Sequence, residues 1–328
     1  MEKLLNLSGI LLPVLAFSAI VASMKILITG GAGFIGSHTT ELFVREGHDV
    51  TVVDNFSTGK LSNLASVEAG IKIVELDICD TEALSDACRD VEVVLHLAAV
   101  SSVEKSIIEP LKTHKINTTG TLSVLEAARE NKARRVVFSS SAAVYGDEPE
   151  LPKTENSPVR PLSPYAWHKL TCEFYGRHYH LLHGLEFLAL RYFNVYGPRQ
   201  DPASPYSGAL TIFNDRSRRG EALTIFGDGE QTRDFIHVSD VASVNLLAAR
   251  APGSLPEIIN VATGRETRII DVARMIQAGY DNKGEIRFEE ERQGDIRRSY
   301  ASTNLLAQAL GYESVVKMDQ GLLSLRDA

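Results

Sequence analysis

A glycine-rich turn between an apolar run and a helical pattern most constrains the fold of this chain. The apolar run is Ile26-Leu27-Ile28, the turn is Gly30-Gly31-Ala32-Gly33-Phe34-Ile35-Gly36, and the helical pattern extends from Thr39 to Glu46. In such a strand–turn–helix unit the first glycine permits the tight turn. The second lets backbone amides approach a pyrophosphate, and the third lets the helix pack on the strand. The helix N-terminus also favours an anion. The motif therefore predicts a dinucleotide-binding site.

The second predicted strand indicates which dinucleotide is bound. It runs from Asp49 to Val53 and ends at Asp54-Asn55, 24 residues after Gly30. An acidic side chain at this place accepts hydrogen bonds from both ribose hydroxyls of NAD and repels the 2′-phosphate of NADP. We therefore expect NAD as the cofactor.

Strands and helices continue to alternate after this acid. The next apolar runs, 71–76, 91–97 and 136–138, lead into the small or polar residues Asp77-Ile78, Ala98-Ala99 and Ser139-Ser140-Ser141. Alternation of this kind predicts an α/β fold with a doubly wound parallel (Rossmann) sheet, whose ligands bind at the carboxyl edge. After Asn194 the pattern breaks into Pro- and Gly-rich loops. We expect an NAD-binding domain over residues 24–194 and a smaller α/β substrate domain over 195–328.

One predicted helix carries a candidate general base. Ser163-Pro164 is a helix-start signal, because the Ser hydroxyl can cap an amide and Pro suits the first helical position. Tyr165 and Lys169 then lie one turn apart on one face, so that the ammonium can lower the pKa of the phenol. An ordinary amphipathic helix with an incidental Tyr and Lys is the alternative that this spacing leaves open.

The net charge and the cysteines indicate which ligands and which cellular compartment suit the protein. The net charge of -8, without a run of Lys and Arg, argues against nucleic acid. The three cysteines show no metal-ligand spacing, and we interpret them as reduced residues of a cytoplasmic protein.

Residues 1–23 form a hydrophobic leader without charge from Leu4 to Ser23, followed directly by the first predicted strand. We favour a dispensable leader or an upstream start with Met24 as the functional beginning. A membrane anchor is the alternative.

Five motifs together resemble the extended short-chain dehydrogenase/reductase family, and within it the UDP-sugar 4-epimerases that act on UDP-galactose and UDP-N-acetylglucosamine. They are the glycine turn, His96-Leu97-Ala98-Ala99, Ser139-Ser140-Ser141-Ala142-Ala143-Val144-Tyr145-Gly146, Tyr165-x-x-x-Lys169 and Arg191-Tyr192-Phe193-Asn194-Val195-Tyr196-Gly197. The resemblance extends from Met24 to the C-terminus. It implies a tightly bound NAD and a reversible hydride transfer through a 4-keto sugar, which turns over in the pocket before it is reduced.

The resemblance also implies roles for individual residues. Tyr165 matches the catalytic base, Lys169 its electrostatic partner, and Ser141 the catalytic hydroxyl. The implied cofactor-binding residues are Gly30, Gly33, Phe34, Ile35, Gly36, Asp54, Asn55, Asp77, Ile78, Leu97, Ala98, Ala99, Asn117, Ser139, Tyr165, Lys169 and Phe193. The implied UDP-sugar ligands, besides Ser141, are Asn194, Arg233 and Arg292 at the diphosphate, Thr224 and Phe226 at the uracil, and Ser299 at the sugar.

The resemblance implies that two related groups of enzymes share the first step, oxidation of the sugar at C4, but need an additional acidic side chain. The resemblance implies that 4,6-dehydratases carry Asp-Glu after the catalytic hydroxyl residue and that UDP-glucuronate decarboxylases carry a nearby Glu. Here Ala142 and Ala143 occupy those places, which favours an epimerase. A UDP-glucuronate 4-epimerase needs no such acid and stays open. A non-enzymatic NAD-binding regulator is disfavoured because the base is retained. We expect a homodimer through helices near residues 113–131 and 164–183.

Overall fold

The protein, described here by a computed structural model, consists of alternating strands and helices over residues 22–201, 208–291 and 296–326. The strands are β1 Lys25–Thr29, β2 Asp49–Asp54, β3 Ile71–Glu75, β4 Val93–His96, β5 Arg135–Ser141, β6 Glu186–Tyr192, β7 Asn194–Tyr196, β8 Leu223–Phe226, β9 Thr232–Arg233, β10 Phe235–His237, β11 Ile258–Val261, β12 Thr267–Arg268 and β13 Ile286–Glu289. The helices are α1 Phe34–Arg45, α2 Thr81–Ala87, α3 Val103–Ile108, α4 Pro110–His114, α5 Gly120–Glu130, α6 Pro164–His183, α7 Ala209–Arg218, α8 Val238–Arg250, α9 Ile269–Gly279, α10 Asn304–Leu310 and α11 Met318–Arg326.

The main sheet has seven parallel strands in the order β11-β6-β5-β4-β1-β2-β3. The chain moves outward from β1 through β2 to β3 and then crosses back to β4, so the order reverses between β1 and β4. In open parallel sheets this reversal opens the crevice where ligands bind, at the carboxyl ends of the strands. The predicted doubly wound fold is confirmed.

Helices cover both faces of this sheet, which explains why its central strands are continuous apolar runs. Alternate side chains of β1 point to opposite faces. Ile26 and Ile28 belong to a core that includes Val241 and Val244 of α8. Leu27 belongs to the core on the other face, with residues of α2, α5 and α6. The sheet is therefore held rigidly from both sides.

The chain beyond the predicted boundary at residue 194 returns to the main sheet. Strand β11 pairs with β6, with Val261 opposite Tyr192, and α8 packs against α1. A separate apolar core lies among α7, α9 and β8 and includes Phe213, Ile225 and Val272. This separate core gives the smaller α/β layer that the sequence predicted, while the boundary at residue 194 stays a prediction.

Two expectations fall on residues outside the described ranges. The hydrophobic leader lies there except for its last residues, and so does Arg292. Among the helices that the structure describes, none has the length and apolar character needed to cross a bilayer.

Candidate active site

The glycine turn joins β1 to α1 in a conformation that only glycine suits. Gly30 has a φ of 69°, and its amide donates to the carbonyl oxygen of Val53 at 2.8 Å. A Cβ atom on Gly36 would lie 2.0 Å from the carbonyl oxygen of Gly30. Helix α1 begins at Phe34 without a side-chain cap and without an acid in its first turn. These features fit the pyrophosphate of NAD, because no side chain caps or neutralises the first amides of the helix, which can therefore donate to an anion.

Asp54 ends β2 beside this turn and is already fixed by backbone amides. Its Oδ2 atom accepts from the amide of Ala32 at 3.0 Å, and Oδ1 accepts from the amide of Phe56 at 2.9 Å. Burial raises the pKa of this carboxyl group, while the two amides lower it. Each oxygen retains a second lone pair, so the carboxylate fits the predicted role of accepting from the ribose hydroxyls.

The end of β3 forms the next part of the same edge. Asn55 donates through Nδ2 to Oδ2 of Asp77 at 3.2 Å, and the amide of Cys79 donates to Oδ1 at 2.9 Å. These bonds hold the pKa of Asp77 below its usual value. Ile78 is buried in the core that contains Val53. The structure therefore places Asp54, Asn55, Asp77 and Ile78 together.

A buried histidine fixes the chain after β4. His96 bonds through Nδ1 to Oγ1 of Thr29 at 2.7 Å and through Nε2 to Oγ1 of Thr121 at 2.9 Å. Burial lowers its pKa to about 3, so the ring is neutral. Thr29 Oγ1 also accepts from the amide of Ala98, whose nitrogen would lie 2.7 Å from a Cβ atom on Gly30. His96 thus holds Leu97, Ala98 and Ala99 close to the glycine turn.

Asn117 holds the residues that follow. Its Oδ1 atom accepts from the amide of Val100 at 2.7 Å, and its Nδ2 atom donates to the carbonyl oxygen of Val100 at 3.0 Å. Asn117 lies in a π-helical turn, Lys115–Thr119, between α4 and α5, and such turns occur often at functional sites. In the structure its side chain shapes this wall through Val100, and its direct contact with NAD stays a prediction.

The candidate base lies where β5 and α6 meet. Helix α6 begins at Pro164, and Ser163 Oγ accepts from the amide of Ala166 at 3.2 Å, which confirms the predicted helix start. Ser141, the last residue of β5, lies close enough to Tyr165 for its hydroxyl to lower the pKa of the phenol. Lys169 donates through Nζ to the carbonyl oxygen of Ser139 at 2.6 Å, and this nitrogen lies 5.8 Å from the centroid of the Tyr165 ring. The three predicted catalytic side chains are therefore together.

The expected lowering of the pKa of Tyr165 by Lys169 is not found in this structure. Burial raises the pKa of Tyr165 to about 12, and the nearby Ser141 hydroxyl opposes this rise only in part. Burial also lowers the pKa of Lys169 to about 8. The cost of a buried charge outweighs the attraction, because the ammonium is bonded to Ser139 rather than to the phenol.

Asp234 connects the candidate diphosphate ligands to the sugar segment. Asn194 donates through both its backbone amide and Nδ2 to the carbonyl oxygen of Asp234, at 3.0 and 3.1 Å. The fully buried Asp234 carboxylate accepts from the amides of Thr263 and Gly264 and, at 3.4 Å, of Ala301. Arg233, the preceding residue, donates through Nη1 to the carbonyl oxygen of Ile296 at 2.5 Å. The structure therefore brings Asn194, Arg233 and the segment of residues 296–301 together.

The remaining predicted ligands are less closely defined. Thr224 and Phe226 share one face of β8, and Thr224 Oγ1 accepts from Nη1 of Arg216 at 2.9 Å. Phe193 is buried beside Tyr145, with their ring centroids 6.3 Å apart. Ser299 is partly buried. None of these contacts establishes a role in binding a ligand, and the assignments stay predictions.

Comparisons with known proteins agree with this geometry. The model of the NAD dependent epimerase/dehydratase family matches residues 26–262. A putative UDP-glucose 4-epimerase of Methanocaldococcus jannaschii is 39% identical over 300 residues, covering 90% of this chain and 95% of that protein. UDP-glucuronic acid decarboxylase 1 of Xenopus tropicalis is 35% identical over 303 residues, covering 91% of this chain and 70% of that protein.

A solved structure shows the same similarity in three dimensions. The UDP-N-acetylglucosamine 4-epimerase from Methanobrevibacter ruminantium M1, in complex with UDP-N-acetylmuramic acid, superimposes with a TM-score of 0.88 at 37% identity. The alignment covers 93% of this chain and 96% of that one. The similarity therefore extends over both the main sheet and the smaller layer.

Proposed function

Because the chain belongs to the NAD dependent epimerase/dehydratase family, we propose that it is a UDP-sugar 4-epimerase. Its proposed substrates are UDP-glucose and UDP-galactose, together with UDP-N-acetylglucosamine and UDP-N-acetylgalactosamine. The observation that carries the proposal is the convergence of Ser141, Tyr165 and Lys169 at the end of β5, followed by Ala142 and Ala143, which cannot transfer protons. The similarity to named 4-epimerases supports it.

In this proposal the chain moves one proton at the sugar O4 atom. The Tyr165 phenolate removes the proton from O4 and later returns it, while the Ser141 hydroxyl donates a hydrogen bond to the same oxygen. Lys169 supplies the positive charge that stabilises the phenolate, since its Nζ atom lies on the same side of α6. Burial of the Tyr165 side chain excludes water from this proton transfer.

NAD, the family's cofactor, would supply the reversible hydride transfer that these side chains cannot perform. The residues that fit NAD are the glycine turn for its pyrophosphate and Asp54 for its ribose. Asp77, Ala98 and Val100, which are held near the turn by their own hydrogen bonds, would line the rest of the cofactor site.

The nucleotide end needs firm contacts while the sugar end turns. Asn194 and Arg233 are the proposed diphosphate ligands, joined in sequence and space to the buried Asp234. A guanidinium fork suits a diphosphate because it donates parallel hydrogen bonds to paired oxygens. We propose that Thr224 and Phe226 contact the uracil. The smaller layer then anchors the nucleotide while the main sheet carries the chemistry.

The test is direct assay of the purified protein with bound NAD. UDP-glucose, UDP-galactose and both N-acetylated sugars are incubated separately, and the products are resolved by chromatography. UDP-glucuronate is included to detect decarboxylation or 4-epimerisation, because a decarboxylase is among the relatives. We expect interconversion within the 4-epimer pairs and no release of carbon dioxide. Pentose production from UDP-glucuronate, without turnover of any hexose, would reject the proposal.

A further inference from the structure

A buried carboxylate on α6 lies behind the candidate base. Glu173 follows Lys169 by one helical turn and Tyr165 by two, so the three side chains share one side of the helix. Its side chain is 5% exposed. It accepts a hydrogen bond from Oγ of Ser140, on the neighbouring strand β5. Glu173 therefore ties the helix of Tyr165 to the strand of Ser141.

The same carboxylate binds a buried arginine on a third element. Arg191 of β6 donates through Nε to Oε1 of Glu173 at 2.9 Å and through Nη2 to Oε2 at 2.7 Å. The guanidinium carbon lies 4.8 Å from the centroid of the Tyr145 ring, and Tyr145 donates to Oδ1 of Asn260 at 2.6 Å. This two-bond geometry fixes orientation as well as distance, so α6, β5 and β6 are joined through one rigid pair.

We propose that Glu173 is the positioning residue of the active site. It fixes the position and rotation of α6 relative to β5, so that Tyr165 and Lys169 lie beside Ser141. Ser140 precedes Ser141 directly, so the hydrogen bond from Ser140 to Glu173 fixes the strand end relative to the helix. The proposal rests on the proposed function in one respect: its test by turnover requires the 4-epimerase activity.

Stability alone is a poor reason to bury this pair. Removing two charges from water costs several kcal/mol per ion as an order of magnitude, and well-packed apolar residues are often about as stable (~0 to a few kcal/mol difference). A bidentate pair adjoining the reacting residues instead supplies precise geometry, and a displacement of about 1 Å can lower a rate about a hundredfold. The position of the pair beside Ser141 therefore favours a role in catalysis.

Glu173 also supplies charge to Lys169. The groups that face this lysine are His96 from β4, Tyr165, His168, Cys172 and Glu173 from α6, and Arg191 from β6 behind Glu173. Burial lowers the pKa of Lys169, and Cys172 and Glu173 oppose this. The pKa of Cys172 is raised to about 11, so its thiol is uncharged near neutral pH. Glu173 therefore contributes a favourable charge interaction to the Lys169 ammonium.

The chain contains a matched control pair at the other end of the same strands. Arg135 and Glu186 are cross-strand neighbours on β5 and β6, just as Ser140 and Arg191 are. Arg135 is buried and donates through Nε to Oε2 of Glu186 at 2.7 Å. Five residues along a strand separate the two pairs by about 16 Å. Glu186→Gln therefore disturbs a similar ion pair on the same strands without approaching the site.

The experiment compares Glu173→Gln, Ser140→Ala and Glu186→Gln with the wild type. We expect Glu173→Gln to lower kcat at least about tenfold with KM for the UDP-sugar changed less than about twofold, because the nucleotide is held elsewhere. Glu186→Gln keeps both constants. Independently of turnover, the Lys169 signal in 13C-lysine NMR, assigned with Lys169→Met, titrates about one unit lower in Glu173→Gln.

Each outcome bears on the proposal. Wild-type kcat and an unchanged Lys169 titration in Glu173→Gln would overturn it, as would an equal loss of kcat in Glu186→Gln. If Glu173→Gln does not fold, Ser140→Ala decides, because it removes the strand contact and keeps the ion pair. A several-fold fall in its kcat, with the Lys169 titration retained, supports positioning, and wild-type kcat rejects it. An inactive wild type rejects the proposed function, while the NMR titration still tests Glu173.

Discussion

Lys169 lies one turn along α6 from Tyr165, with its Nζ atom 5.8 Å from the centroid of the Tyr165 ring and 2.6 Å from the carbonyl oxygen of Ser139. Burial favours the uncharged form of both side chains, raising the pKa of Tyr165 to about 12 and lowering that of Lys169 to about 8. Formation of a Tyr165 phenolate beside the Lys169 ammonium is therefore unfavourable until another charge enters the site. Oxidised NAD carries a positive charge on its nicotinamide ring, so binding of the cofactor and ionisation of Tyr165 should favour each other.

Removal of the Tyr165 hydroxyl should abolish most of the turnover. We expect Tyr165→Phe to lower kcat by about a hundredfold or more, as loss of a positioned general base does, while NAD content stays at the wild-type level. The measurement is steady-state turnover together with the NAD released on denaturation. Tyr175→Phe, a change to a more exposed tyrosine on the same helix, should keep both values. Near-normal epimerisation by Tyr165→Phe at neutral pH contradicts the assignment of the base.

The free energy of unfolding should depend on pH through Lys169. Its pKa is lowered from 10.5 to about 8 in the folded protein, so between these values the unfolded chain binds more protons than the folded one. The contribution of Lys169 to stability therefore rises with pH in this window, by about 2 kcal/mol between pH 8 and 9.5. We expect the wild type to gain this amount relative to Lys169→Met in denaturant unfolding. Parallel pH dependences for the two proteins contradict the burial of a titrating ammonium.

A methyl group on the third motif glycine should disrupt the cofactor site. In Gly36→Ala the new Cβ atom would lie 2.0 Å from the carbonyl oxygen of Gly30, and backbone must move to relieve the clash. We expect the free energy of unfolding to fall by about 3 kcal/mol and NAD retention to be lost. Gly279→Ala is the control, because nothing lies within 4 Å of its Cβ position. Wild-type NAD content in Gly36→Ala contradicts the site.

The size of the residue at position 299 should select the sugar. On the hypothesis that Ser299 leaves room for a 2-acetamido group, Ser299→Tyr abolishes activity on the N-acetylated sugars and spares UDP-glucose and UDP-galactose. A clash discriminates more strongly than a lost contact, which gives only about 1–3 kcal/mol. If the alignment of this segment is shifted by one residue, Tyr300 fills the space instead. The wild type then acts on the plain hexoses alone, and Tyr300→Ala extends activity to the N-acetylated ones. Relative kcat/KM values for the four sugars distinguish the two cases.

The outer face of α6 should form a homodimer contact. Phe174 is 52% exposed and Leu182 is 73% exposed, beside a cavity of about 450 Å³ that both side chains help to line. Exposed apolar surface of this kind marks an interaction site. We expect Phe174→Glu to shift the protein from dimer to monomer in sedimentation velocity. Leu323→Glu, a change to a 52% exposed residue on α11, which packs against α7 and α9, should stay dimeric. A monomeric wild type at micromolar concentration rejects the interface.

Local signals in the sequence were sufficient for much of the fold and for the centre of the site. The glycine turn, the acid after β2 and the Ser-Pro helix start each act within a few residues, so the strand–turn–helix unit and the beginning of α6 were predicted correctly. The clustering of Ser141, Tyr165 and Lys169 came from recognised motifs. The spacing of Tyr165 and Lys169 alone did not separate a catalytic pair from an ordinary helix.

Contacts between distant residues were the ones that sequence reasoning missed. The hydrogen bond from Tyr145 to Asn260 spans 115 residues. The pairing of β11 with β6 is not indicated by any sequence signal near either strand. Glu173 could have been noticed as an acid one turn after Lys169, but its partner Arg191 is visible only in the folded chain. The direction of the Tyr165 pKa was also wrong, because burial depends on packing that spacing does not reveal.

Strand β11 returns to the main sheet directly beside β6, with Val261 opposite Tyr192. The intervening chain thus leaves and re-enters the scaffold at neighbouring strands whose backbone hydrogen bonds already join its two ends. Strand β8 pairs with β13 in a separate two-stranded sheet, so changes within α7 and β8 act on that small sheet and not on the strand pairing of the main one. We therefore expect exchange of this stretch between relatives to leave the strand order of the main sheet intact.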